Sequence, residues 1–101
     1  MVTVLLLEDD PATRERLAGI VSGAPGLELA AAFGELRAAL DWLAAHAPPQ
    51  VLLVDLQLPD GSGIELIRAA RRLAPHSESM VISVFGDEAH VVSAIEAGAT
   101  G

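Results

Sequence analysis

Hydrophobic and polar positions along this chain switch repeatedly between a strand-like and a helix-like rhythm. Residues 2–7, Val-Thr-Val-Leu-Leu-Leu, form an apolar run that stops at Glu8-Asp9-Asp10. Short continuous runs of this kind fit strands of a parallel sheet buried on both faces. Asp10 followed by Pro11 reads as an N-cap and a first helical residue. The helix continues to about Val21, with Leu17, Ile20 and Val21 on one face, and Gly23-Ala-Pro-Gly26 closes it. A second strand fits residues 27–33. Gly34 opens a second helix to about His46, with Leu36, Leu40 and Leu43 at helical spacing, and Pro48-Pro49 stops it. The third strand is predicted over residues 50–54, followed by a loop. Ile64, Ile67 and Ala70 mark a third helix ending before Pro75, and residues 79–84 a fourth strand. Asp87 caps a last helix through Ala97, with Val91, Val92 and Ile95 inward, and Gly98 is a suitable stop.

The resulting βαβαβαβα pattern predicts an α/β fold, a doubly wound parallel sheet with right-handed crossovers and helices on both faces. The pattern leaves the order of the strands open. In such sheets ligands and chemistry gather in the crevice beyond the carboxyl ends of the strands.

Composition narrows the function classes. With 101 residues, 51% of them hydrophobic, the chain is read as one domain with a real core. No apolar stretch approaches the ~18 residues of a membrane span. The first apolar run has no basic segment before it and ends in acids, unlike a signal peptide. Cysteine is absent, which excludes disulfides and thiolate metal sites, and a cytoplasmic location is the expectation. Fourteen acidic residues against six arginines and no lysine give a net charge of -8. So acidic a balance argues against direct nucleic-acid contact, which needs a basic face. Arg68, Arg71 and Arg72 make a small basic spot, read as a solvated helix face.

Residues 51–63, Val-Leu-Leu-Val-Asp-Leu-Gln-Leu-Pro-Asp-Gly-Ser-Gly, carry the strongest chemical signal. They deliver Asp55 to the carboxyl end of a buried strand and follow it with a Pro/Gly-punctuated loop. The first strand likewise ends in Glu8-Asp9-Asp10. If the two strands are neighbours, ~5 Å apart, their carboxylates converge and raise one another's pKa unless a cation intervenes. Mg²⁺, which accepts carboxylates, a carbonyl and waters, is the natural partner. Asp10, directly before Pro11, is better read as a helix cap. For Glu8 and Asp9, a merely solvated loop is as good a reading from spacing alone. Ser83, near the end of the fourth strand, offers a hydroxyl at the same edge, though a serine in a strand is more often a loop neighbour or a satisfied polar group.

Rival motifs fail. Gly61-Ser-Gly63 lacks the third glycine of a dinucleotide fingerprint, a phosphate-binding P-loop needs a lysine, and no GxSxG elbow is present. His46, His76 and His90 lack metal-ligand spacing.

Leu6-Leu7-Glu8-Asp9-Asp10-Pro11 with Arg14, Val54-Asp55-Leu56-Gln57-Leu58-Pro59 with Gly61 and Gly63, Val81-Ile82-Ser83 and Ala97-Gly98-Ala99 together resemble the receiver domain of bacterial two-component response regulators. The Ser-Val-Phe-Gly-Asp-Glu stretch and the terminal Ala-Gly-Ala-Thr-Gly look most like the NarL/LuxR type. The resemblance implies a flavodoxin-like fold and a phosphorelay function. It makes Asp55 the phosphoacceptor, and gives Mg²⁺ the ligands Asp9, Asp55 and the Gln57 backbone carbonyl, with Glu8 acting through water. Ser83 becomes the switch hydroxyl, and Pro59 and Gly63 shape the loop. It further implies a sensor histidine kinase as partner, no enzymatic turnover beyond slow autodephosphorylation, and control of a transcription-factor output domain. A homodimer is left open.

One departure stands out. Receivers carry a lysine on a fifth strand, and this chain reaches Gly101 with no lysine. The expectation is therefore a receiver with four βα units, incomplete at its C-terminus, its fifth strand, fifth helix and output domain outside this chain. Two other readings stay open. One is a Mg²⁺-dependent, haloacid-dehalogenase-like phosphatase or phosphotransferase, disfavoured because Gln57 stands where such enzymes place a second aspartate. The other is a phosphorylation-independent pseudo-receiver, opposed by the intact Glu8, Asp9, Asp55 and Ser83 and kept open by the missing lysine.

Overall fold

In the computed structural model, which describes residues 1–82 and Gly98, the alternation of the sequence becomes an alternation of elements. In chain order they are β1 (Val2–Leu7), α1 (Pro11–Gly23), β2 (Leu27–Phe33), α2 (Leu36–Ala45), β3 (Val51–Asp55), β4 (Gln57–Leu58), β5 (Gly61–Ser62), α3 (Gly63–Leu73) and β6 (Glu78–Ile82). The four long strands form a parallel sheet in the order β2-β1-β3-β6.

That order fixes the helix layers. From β1 the chain steps through α1 to β2 in one direction across the sheet. From β2 through α2 to β3, and from β3 through α3 to β6, it steps in the other. With crossovers of one hand, α1 must cover one face and α2 and α3 the other. The packing agrees. Leu5, Leu7, Leu52 and Val54 bury their side chains in one cluster with Leu36, Ala39 and Leu43 of α2 and Leu66, Ile67 and Ala70 of α3. Val4 and Leu6, one residue out of phase along β1, point to the opposite face and are equally buried. A fully buried leucine is worth ~1.5–3 kcal/mol relative to an exposed one, and β1 alone holds Leu5, Leu6 and Leu7 at 0% exposure. Being buried on both faces explains why β1 reads as an unbroken apolar run.

The reversal of direction occurs between β1 and β3, so the crevice of a doubly wound sheet lies at their carboxyl ends. The register pairs Leu7 with Val54, which brings the residues that follow, Glu8 and Asp55, side by side.

Several sequence expectations shift. The apolar face predicted for α1 contained Ile20, which is instead 60% exposed. At ~100° per residue, with Leu17 at zero, Val21 falls at about 40° and Ala18 at about 100°, whereas Ile20 falls at about −60°, outside the arc that buries Val21 and half-buries Leu17 and Ala18. α1 also runs on to Gly23, and α2 starts at Leu36 rather than at Gly34. β3 is displaced by one residue, so that Asp55 is its last member rather than the first residue of a loop. The segment after it, for which the sequence predicts only a loop, contains the short antiparallel hairpin β4–β5, pairing Gln57 with Ser62 and Leu58 with Gly61. The fourth long strand is described as Glu78–Ile82, and the predicted last helix over residues 87–97 lies outside the described residues.

Candidate functional site

Each strand end contributes a carboxylate by a different local route. Beyond Leu7 the chain stays tied to the sheet, because Glu8 N–H donates to the Phe33 carbonyl at 3.0 Å. Glu8 is thereby held in the interior, only 6% exposed, while Asp9 and Asp10 emerge. Asp10 turns away to cap α1: its Oδ2 accepts from Thr13 N at 2.9 Å and Thr13 Oγ1 at 2.6 Å, with Pro11 opening the helix. These bonds hold its carboxyl below the usual carboxylate range. The cap reading of Asp10 is therefore the structural one, and Asp10 is not part of the cluster.

Glu8, Asp9 and Asp55 are. One carboxylate oxygen from each lies within 4.8 Å of the others. Burial, then the charge of Asp55, push the Glu8 carboxyl above its ordinary value, and Asp9 adds to the rise. A hydrogen bond from Asp10 N–H to Glu8 Oε1 at 3.3 Å opposes it. Two unit charges at this separation repel by about 3 kcal/mol at an effective dielectric of ~20. Among the described residues no side-chain cation offsets that repulsion. The ion pair found there, Arg37 with Asp41, lies on the surface of α2. Arg14 approaches from α1, but its Nη1 donates to the main-chain carbonyls of Glu8 and Asp9, at 3.0 and 3.4 Å, and so braces the loop rather than the carboxylates. Gly34 makes room for it, since a Cβ there would lie 2.3 Å from Arg14 Nη1.

The loop after Asp55 is equally constrained. Gln57 N–H donates to Asp55 Oδ1 at 3.2 Å, and Gly63 N–H to the Leu56 carbonyl at 3.1 Å. Gly63 is sterically required: a Cβ would fall 2.0 Å from the Asp55 carbonyl oxygen. Ser62 caps α3 by accepting from Ile64 N–H at 3.2 Å. Asp60, at the hairpin tip, reaches α2 instead and accepts from Leu36 N–H at 2.7 Å and Arg37 N–H at 2.9 Å. Beside the acids, an open cleft of about 500 Å³ runs between Asp9, Arg14, Phe33, Glu35 and Pro59.

Residues 4–101 match the response regulator receiver domain family. This chain belongs to it. The receiver is 36% identical over 101 residues to the transcriptional regulatory protein UhpA of Salmonella typhimurium, covering 100% of this chain and 50% of that protein. It is 32% identical over 101 residues to the DNA-binding transcriptional activator DevR/DosR of Mycobacterium tuberculosis, covering 100% of this chain and 46% of that protein. Both are relatives of the NarL/LuxR type. The chain thus spans about half the length of the curated relatives it matches. It superposes with a TM-score of 0.85 and 26% identity on a Burkholderia pseudomallei response regulator solved with a phosphorylated aspartic acid, a calcium ion and citrate, covering 98% of this chain and 56% of that one.

Of the receiver residues singled out in the sequence, the structure brings together Glu8, Asp9 and Asp55, with Gln57 bonded to Asp55 through its N–H. Ser83 lies outside the described residues. Sequence reasoning missed two supports of the receiver site. The sequence offers Arg14 only as part of a motif and assigns Asp60 no role, whereas Arg14 braces the Glu8 and Asp9 carbonyls and Asp60 caps α2. No local signal marks Asp60, whose partners are the Leu36 and Arg37 N–H groups, 24 and 23 residues upstream.

Proposed function

We propose that this receiver accepts a phosphoryl group on Asp55 from the phosphohistidine of a sensor histidine kinase, with Mg²⁺ held by Asp9, Asp55 and the Gln57 backbone carbonyl, and by Glu8 through water. The observation that carries the reading is the meeting of three carboxylates at the β1/β3 reversal, with no side-chain cation among the described residues to balance them. The donor set is all hard oxygen, which suits Mg²⁺. Bound there, the ion would offset the negative charge of the pocket and of the incoming phosphoryl group.

The chain's own contribution is placement. β3 holds Asp55 rigidly at its end, and the Gln57 N–H bond to Oδ1 orients the carboxylate. An oxygen of Asp55 attacks phosphorus in line, the P–N bond to the imidazole breaks, and the imidazole leaves with a proton. The product is an acyl phosphate whose added charge and acceptor oxygens draw on the Ser83 hydroxyl as the switch. The phosphorylated aspartate and calcium ion in the Burkholderia relative support the same use of the site. On this reading the chain is one regulatory domain, not a turnover enzyme, of a longer cytoplasmic regulator whose output domain contacts DNA. Among the described residues no helix is long and apolar enough to cross a membrane.

Incubation with Mg²⁺ and acetyl phosphate, followed by intact mass, tests the proposal. One phosphate is expected, lost in Asp55→Asn and when the metal is chelated. Turnover of many equivalents would instead indicate a phosphatase, and no adduct under any condition a pseudo-receiver.

A further inference from the structure

The β4–β5 hairpin begins beside Asp55 and carries Gln57, yet its tip is fastened to a different element. Asp60 caps α2 from 24 residues downstream, taking the Leu36 and Arg37 N–H groups on its two oxygens at 2.7 and 2.9 Å. The first turn of a helix leaves its N–H groups without internal partners, and a side chain at the N-cap normally serves them. Glu35, the N-cap here, makes no such bond. The task has passed to Asp60, whose carboxyl both bonds hold below the usual range.

A second contact joins the same two elements. Gly61, with φ +152°, sits so close to α2 that a Cβ would lie 2.7 Å from Leu36 Cδ2. The base of the hairpin is fixed separately, by Gly63 N–H on the Leu56 carbonyl and by Gln57 N–H on Asp55. Gln57 therefore sits on a short span pinned at both ends, one pin being the end of β3 and the other α2.

We propose that Asp60 is a positioning residue for the metal and phosphoryl site: by anchoring the hairpin tip to α2, it sets the main chain at Gln57 and the loop following Asp55. This rests on the phosphoacceptor reading above. Residues that orient metal ligands without touching the ion typically cost ~10–100-fold in affinity when removed. Asp60 acts across several residues of hairpin, so the lower end, about tenfold, is expected.

The test compares Asp60→Ala, Asp60→Asn and the double variant Asp60→Ala/Glu35→Ser, each titrated with Mg²⁺ by amide NMR at Asp9 and Asp55. Asp60→Ala should raise the Mg²⁺ Kd about tenfold, with the acetyl phosphate yield at limiting Mg²⁺ falling in step. Asp60→Asn keeps one acceptor oxygen and should fall between, with altered Leu36 and Arg37 amide shifts. Serine at position 35 gives α2 a local cap without tying the hairpin. The double variant should therefore regain thermal stability but not Mg²⁺ affinity. Recovery of both would overturn the proposal, because the loss would then run through the stability of α2. So would unchanged Mg²⁺ affinity in Asp60→Ala. A wild-type chain that binds no Mg²⁺ would remove the phosphoacceptor reading itself, and this proposal with it.

Discussion

Gly63 offers the sharpest link between packing and chemistry. It is the first residue of α3, and a Cβ there would lie 2.0 Å from the Asp55 carbonyl oxygen and 2.7 Å from Val54 Cγ1. Carbon–oxygen contacts settle near ~3.3 Å, so Gly63→Ala must move strand end and helix start apart by about 1 Å. Neither side yields cheaply. Asp55 is paired with Ile82 of β6, and Gly63 is tied to Leu56 by its own N–H. Overpacking of this kind costs ~1–3 kcal/mol, and the upper end applies because the obstacle is backbone. Alanine's better helix propensity returns at most ~1 kcal/mol, leaving a net loss of about 2 kcal/mol. In a domain of this size that corresponds to a Tm lower by about 10 °C. The site should suffer more, since a displacement of ~1 Å at a reacting group can cost ~100-fold in rate. Thermal melts by circular dichroism and the rate of phosphate gain by intact mass read the two effects. Gly19→Ala is the control: it lies in α1 with nothing within 4 Å of a new Cβ, and should be neutral or slightly stabilising. A Gly63→Ala chain with an unchanged Tm and an unchanged rate would refute the reasoning.

Other expectations follow from the same structure. The Glu8 carboxyl is raised above its ordinary value of 4.5, so between that pH and its native pKa the folded chain binds more protons than the unfolded one. Metal-free stability from this group should fall as pH rises through the window, while Mg²⁺ affinity rises. Glu8→Gln should flatten the stability difference in urea titrations at several pH values, and weaken Mg²⁺ binding. Exposed Ile20→Ser should change stability by less than ~0.5 kcal/mol. Buried Val21→Ala, by contrast, should cost about 2 kcal/mol in the same urea series. Gly34→Ala displaces only the end of the Arg14 side chain. It should cost little stability, but shift the Glu8 and Asp9 resonances in carbonyl-detected NMR as their bonds to Arg14 are lost.

The fold was readable where one residue's environment is set by its own element. Leu5, Leu6 and Leu7 announce a strand buried on both faces, and Asp10-Pro11 a helix start, because burial and capping are local requirements. Ile20 misled because a short helix with weak patterning offers two adjacent apolar residues, and only the sheet decides which one is covered. The meeting of Glu8, Asp9 and Asp55 could be stated only conditionally, since it depends on β1 lying beside β3. The strands β4 and β5 have two residues each, too short for any periodicity to appear. Asp60 was invisible for a similar reason: its partners are 24 and 23 residues upstream, and nothing in the Pro59-Asp60-Gly61 sequence points to α2.

The pairing of β1 with β3 also orders events in time. These strands are separated in the chain by α1, β2 and α2, so their contact closes a long loop, an entropic cost that local helix formation does not meet. Before that closure Asp55 is far from the adjacent pair Glu8 and Asp9, and its repulsion with them does not exist. The electrostatic penalty between the two strand ends is therefore felt only by conformations in which the centre of the sheet is already assembled, and the proposed grip on a divalent ion is open only to them. Mg²⁺ should accordingly act on folding kinetics chiefly by slowing escape from the finished sheet, with little effect on how fast the strands first find each other.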